Sequence, residues 1–156
     1  MSLQDLRIKV GSMKKIIILG CLLIVGISAF AQEQYTYSPS YIGNLKICRE
    51  YSEDYSTTIQ TGDANSPELR VKSTEKVLGF INGKCYTKST VYSYDLEKTI
   101  LSIKCGLTRE QLAFVVKKMN AVNAEPSKET KRALQDELTK IIENKSICRV
   151  KNYLEE

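Results

Sequence analysis

The chain has 156 residues, 42% of them hydrophobic, and a formal charge of +5; the 125 residues after position 31 are enough for one domain with its own core and too few for two comfortable ones. Histidine is absent, which excludes Ser–His and Cys–His nucleophile pairs and the usual general base near pH 7. Charges of both signs alternate along the chain without a long basic block, so the sequence offers no electrostatic footprint for nucleic acid.

The first 31 residues read as targeting sequence. Met13-Lys14-Lys15 is a basic start, Ile16 to Ala31 is an apolar run, and Ala29-Phe30-Ala31 places small residues at −3 and −1 before polar Gln32-Glu33-Gln34. These are the three regions of a cleaved secretory signal peptide. A membrane anchor needs about 20 apolar residues to span ~30 Å of hydrocarbon; this run is shorter and ends in a cleavage motif. A lipoprotein reading of Cys21 fails because only Ile16 to Gly20 separate it from the lysines. Residues 1–12 fit no part of the signal and are read as an N-terminal extension, with Met13 as the alternative start. Removing residues 1–31 takes away Arg7, Lys9, Lys14, Lys15 and Asp5, which lowers the formal balance from +5 to +2.

Residues 32–40 (QEQYTYSPS) read as a polar leader, and residues 41–150 as the domain, with 151–156 a tail. Tyr41 to Cys48 alternates weakly and is assigned as a first strand, a short helix being the other option. Glu50 to Pro67, rich in Ser, Thr, Asp and Gly, reads as a long irregular loop with room for a short strand at Thr57 to Gln60.

Leu69 to Cys105 is predicted as a three-stranded antiparallel meander. Asn82-Gly83 between two β-prone runs tolerates positive φ at both centres of a type I′ turn, and Asp95-Leu96-Glu97-Lys98 marks the second reversal. With a two-residue first loop, Leu78, Phe80, Cys85 and Val91 share one face and Val77, Ile81, Tyr86, Tyr92 and Tyr94 the other. A four-residue second turn adds Leu101, Ile103 and Cys105 to the tyrosine-bearing face; an odd-length turn reverses that assignment. The tyrosines are read as packing residues with wet hydroxyls rather than as a ligand platform.

From Thr108 the period changes. Thr108-Arg109-Glu110-Gln111 fits a capping box, and Leu112, Val115, Val116, Met119 and Val122 follow at helical spacing. Glu125-Pro126 breaks that helix, Ser127 caps another, and Leu134, Leu138, Ile141, Ile142 and the Lys145 stem form its stripe. Helix stripes need an apolar surface to cover, and the meander supplies it. The predicted fold is therefore α+β: an antiparallel sheet of three to five strands with two C-terminal helices packed on one face.

Four cysteines follow the signal: Cys48, Cys85, Cys105 and Cys148. An even count in an exported chain reads as two disulfides. No C-x₂₋₄-C knuckle is present for a metal, and no C-x-x-C for redox exchange. Two helices of similar length, the second running back, return the chain after Lys145 to the neighbourhood of Cys105. The preferred pairing is Cys105–Cys148 with Cys48–Cys85. Cys85–Cys105 with Cys48–Cys148 stays open, and needs both sulfurs of the first pair on one face.

The series Leu45-Lys46-x-Cys48, Lys84-Cys85-Tyr86, Cys105-x-Leu107-Thr108-x-Glu110-Gln111 and Cys148 resembles small uncharacterised exported proteins of Gram-negative bacteria with four spaced cysteines. The resemblance implies export and disulfides, and brings no activity with it. No nucleophile elbow, phosphate-binding glycine loop or zinc motif occurs. Glu53-Asp54 is the one adjacent carboxylate pair weighed for glycoside chemistry, and it reads better as an exposed loop dipeptide. The sequence thus favours a non-enzymatic periplasmic or secreted module without catalytic residues, cofactor or metal. Its expected partner is a protein or surface component, with no nucleic acid and no stable membrane anchor after cleavage. The alternatives are an inhibitor of a hydrolase, inserting loop 50–67 into a foreign site, and an enzyme using Lys, Tyr or carboxylates.

Overall fold

A computed structural model describes residues 37–60 and 68–154. The predicted signal peptide, its expected cleavage site, Cys21 and residues 61–67 all lie outside the described residues. Helix α1 (Pro39–Lys46) is followed by strands β1 (Tyr51–Gln60), β2 (Glu68–Ile81), β3 (Lys84–Ser93) and β4 (Lys98–Leu107). Helices α2 (Arg109–Ala124) and α3 (Lys128–Glu143) come next, then strand β5 (Cys148–Asn152). The five strands form one antiparallel sheet in the order β1-β2-β3-β4-β5, so each strand pairs with its neighbour in sequence. The helices lie on one face of that sheet, and among the described residues none is long and apolar enough to cross a membrane.

The meander and both C-terminal helices form as predicted. Asn82 and Gly83 both take positive φ, 50° and 79°, as the tight turn between β2 and β3 requires. Thr108 and Ser127 cap α2 and α3, each with a reciprocal capping box; Gln111 answers Thr108, and Thr130 answers Ser127. Leu112, Val115, Val116, Met119 and Val122 of α2 are all buried, as are Leu134, Leu138 and Ile142 of α3, while Ile141 is half-buried. Lys145 falls in the exposed turn after α3 and contributes nothing to that stripe. β5 has no counterpart among the predicted elements.

Two segments differ in kind from the sequence reading. Residues 41–48 are not a strand: Ser38 caps a helix by accepting from Tyr41 N, and Pro39 opens it with φ already set. Tyr41, Ile42 and Leu45 then fall on one helical face and are buried. The polar leader ends earlier than expected, since Tyr37 is already buried and held by Asn123 at both its N–H and its carbonyl (3.0 and 2.9 Å). Residues 51–60 are a ten-residue edge strand rather than a loop. Tyr51, Tyr55 and Ile59 face the helices while Ser52, Asp54, Ser56 and Thr58 face water; a half-solvated edge strand of this kind carries the polar composition of a loop.

The face assignment is also corrected. The register slips between Val77 and Gly79, where Gly79 has φ +92°, and again between Val91 and Tyr92. Each bulge inserts one extra residue and reverses which side of the strand faces inward. Val77 therefore joins Cys85 and Val91 on the helix-covered face, together with Leu101, Ile103 and Cys105. Tyr86, Tyr92 and Tyr94 remain on the opposite, open face, with the last two in an edge-to-face pair at 5.7 Å.

Candidate functional site

The inner face of the sheet and the helices line a partly open cavity of about 120 Å³. Its wall is mostly apolar: Leu45 of α1, Ile103 and Leu107 of β4, Val115 and Met119 of α2, and Leu138, Ile141 and Ile142 of α3. Polar atoms enter it from Tyr37, Tyr41, Tyr55, Thr87, Ser89 and Glu75. The sheet brings these together because its inward rows run Tyr55–Ser73–Val91 and Glu53–Glu75–Ser89–Ile103 across neighbouring strands.

Among the described residues, Glu75 is the one carboxyl in the cavity wall. Its Oε1 accepts from Ser73 Oγ (3.2 Å) and from Ser89 Oγ. Burial pushes its pKa up from 4.5 to about 7, with a smaller upward push from the charge of Glu53, while the two serine hydroxyls pull the other way. Glu53 stands directly opposite Glu75 in the β1–β2 ladder. It accepts from Tyr51 OH (3.1 Å) and from Tyr55 OH. Tyr37 is pushed up to about 12 by burial and secondarily by Glu75, and Tyr41 is also pushed up, first by burial and then by the charges of Glu75 and Glu53. Both stay as phenols at any physiological pH.

The cavity thus offers an apolar volume with a proton-exchanging carboxyl and two neutral phenols at its rim. A perturbed acid in an apolar pocket is the arrangement that binding and catalytic sites share. Among the residues singled out from sequence, the four cysteines pair as Cys48–Cys85 and Cys105–Cys148, with Cα–Cα distances of 5.8 and 4.1 Å. Cys48–Cys85 ties the end of α1 to the start of β3, and Cys105–Cys148 joins directly opposed residues of β4 and β5. The preferred pairing holds, even though the rival's condition, both sulfurs on one face, is met. Cys85 and Cys105 share the inner face, and what separates them is register, since Cys85 lies opposite Leu107 and Cys105 opposite Thr87. Two disulfides are the mark of an oxidising, extracytoplasmic environment.

Glu53 and Asp54 do not form a pair. Successive strand residues point to opposite faces, so Glu53 turns inward and Asp54 outward, where it binds Lys72 (2.7 Å) and accepts from Thr74. The acid that does meet Glu53 is Glu75, 22 positions along the chain, and only the β1–β2 register could reveal it. One local signal existed: Glu75 follows Val71 and Ser73 at strand spacing, on the side that the buried Val77 continues.

Comparison with protein-family models, with curated proteins and with solved structures finds no match.

Proposed function

We propose that the protein is an exported, non-enzymatic binding module of the periplasm or the medium. Its cavity takes a small, mostly apolar ligand that bears one hydrogen-bond donor. The observation that carries this reading is the Glu75 carboxyl set in the wall of an otherwise apolar cavity. A volume of about 120 Å³ is of the order that accepts a single small ring, and a carboxyl in a mostly apolar wall favours ligands that can hydrogen-bond to it. Two disulfides and three helices hold the walls in place, so the site is largely formed before a ligand arrives.

Phenol and aniline should bind more tightly than toluene, with NMR shift changes gathered at Tyr37, Glu75 and Met119. Glu75→Gln should narrow the preference for the donor-bearing rings, and Met119→Trp, which fills the cavity, should remove binding of all three. Shift changes scattered over the surface, or binding indifferent to Met119→Trp, would reject the reading.

The opposed Glu53 and Glu75 favour an enzyme as the second reading, because two carboxyls in unlike surroundings are the raw material of acid–base chemistry. It ranks lower because Glu53 is occupied by two tyrosine hydroxyls. An inhibitory loop has less to stand on. Tyr51–Gln60 is sheet, and residues 61–67 lie outside the described residues.

A further inference from the structure

The outer face of the sheet carries a row of like charges. The ladder pairs Lys76 with Lys88, Lys88 with Lys104, and Lys104 with Arg149, so four cations stand directly opposite one another across β2, β3, β4 and β5. All four are exposed. Lys84 and Lys151 flank the row on the same face, and the outward positions of β3, β4 and β5 include no carboxylate. The cations nearer β1 are already neutralised, Arg70 by Asp95 and Lys72 by Asp54 (2.8 and 2.7 Å). None of the four in the row makes an ion pair among the described residues.

Such a row works against the fold, because like charges directly opposite one another destabilise a sheet. Guarding an edge against aggregation accounts for Arg149 on β5. It does not account for Lys76, Lys88 and Lys104, which sit on interior strands. We propose that this row binds a linear acidic polysaccharide, of the type that carries one carboxylate on each sugar, laid across the strands.

Neighbouring strands are ~4.8 Å apart, so the row presents cations at a regular step over about 14 Å. A polymer with an anion on every unit offers its charges in single file in the same way. Strand twist turns the outward direction by about 20–25° per step. A chain can follow that turn, whereas a flat bilayer meets only part of the row. The exposed apolar residues Phe80 and Ile81 lie at the β2–β3 hairpin tip rather than along the row. Nucleic acid fits less well. The aromatic nearest the row, Tyr86, lies against Gly106, where an added Cβ would come within 3.0 Å of the ring, and Lys104 Nζ sits 5.4 Å from its centroid. Tyr92 and Tyr94 pack on each other, so among the described residues no open aromatic platform for stacking bases adjoins the cations.

The test is titration of the purified, disulfide-intact protein with polygalacturonate, followed by calorimetry at low and moderate salt. A Lys76→Ser, Lys88→Ser, Lys104→Ser triple variant should lose affinity at least about tenfold, and its salt slope should fall by roughly 2. A control with the same charge change on the helices and the turn after α3 (Lys117→Ser, Lys131→Ser, Lys145→Ser) should bind within about twofold of the parent. Cooperative unfolding verifies that both variants are folded, and a single Lys88→Gln variant, expected to lose affinity in the same direction, serves if the triple is not. The proposal is overturned by equal losses in the row and control variants or by no binding of polygalacturonate. Tighter binding of single-stranded DNA or of anionic phospholipid vesicles than of polygalacturonate also overturns it.

Discussion

The two faces of the sheet are built by the same five strands from residues that alternate one by one along the chain, and they share almost nothing else. The inner face is covered by three helices, closed by two disulfides, and carries its charge as carboxyls, Glu53 and Glu75, held among tyrosines and serines. The outer face is open, uncovered by any described helix, and across β3 to β5 its charged residues are all cations. Solvation explains why the two tolerate different faults. A charge on the inner face meets little water and must find hydrogen bonds or give up its ionisation. On the outer face, water and salt screen neighbouring lysines enough for them to stand side by side.

The largest expected effect contrasts one added charge on each face. Val115→Asp buries a carboxylate in the apolar wall between α2 and the sheet and should cost at least about 4 kcal/mol, enough to unfold the domain. Thr90→Asp, on the outer face between Thr74 and Ser102, should stay within ~0.5 kcal/mol of the parent or gain slightly from the nearby lysines. Urea denaturation midpoints decide it, and comparable losses would erase the distinction between the faces.

A smaller effect concerns Glu75. The folded protein holds its proton up to about pH 7, against about 4.5 in the unfolded chain. Between those values the folded state binds more protons than the unfolded one, so this group's contribution to stability falls as pH rises from 4.5 to 7 and is level above. Glu75→Gln keeps the serine hydrogen bonds without the charge. It should leave stability nearly unchanged at pH 4 and raise it by on the order of 2–3 kcal/mol at pH 8. Chemical denaturation of both proteins across that range is the measurement, and a difference that does not grow with pH would mean that water reaches Glu75 freely.

The smallest effect belongs to the cation row. Lys88→Glu replaces two repulsive cross-strand pairs with two attractive ones and should stabilise the domain by about 1 kcal/mol at low salt, shrinking as salt is added. A destabilised Lys88→Glu would show that the lysine stem, rather than its charge, is what matters there. Stabilisation by removing a lysine is what a surface kept for a partner predicts, since function and stability then pull in opposite directions.

Much of the fold is legible in local sequence. The caps at Thr108 and Ser127, the stripe from Leu112 to Val122, and the Asn82-Gly83 turn each depend on residues within a few positions of one another, and the backbone follows them. The Cys105–Cys148 bridge was favoured but not fixed by local sequence, since α2 and α3, equal at 16 residues each, carry the chain out and back towards β4. α1 was masked by a short apolar pattern that fits strand and helix alike. β1 was masked because only every second residue of an edge strand touches the core.

Short-range periodicity and chain length were thus enough for the class of the fold and its two C-terminal helices, and they favoured one cysteine pairing without excluding its rival. Which side of each strand faces inward depends instead on long-range strand pairing. Two one-residue bulges, at Leu78 in β2 and at Ile100 in β4 opposite Val91–Tyr92, change the parity of those strands, and parity is invisible to a pattern that merely alternates. The candidate site and the cation row both depend on that parity. Glu75 meets Glu53 from 22 residues away, and Lys76, Lys88, Lys104 and Arg149, scattered through a sequence of mixed charge, line up because strand register adds what chain order keeps apart.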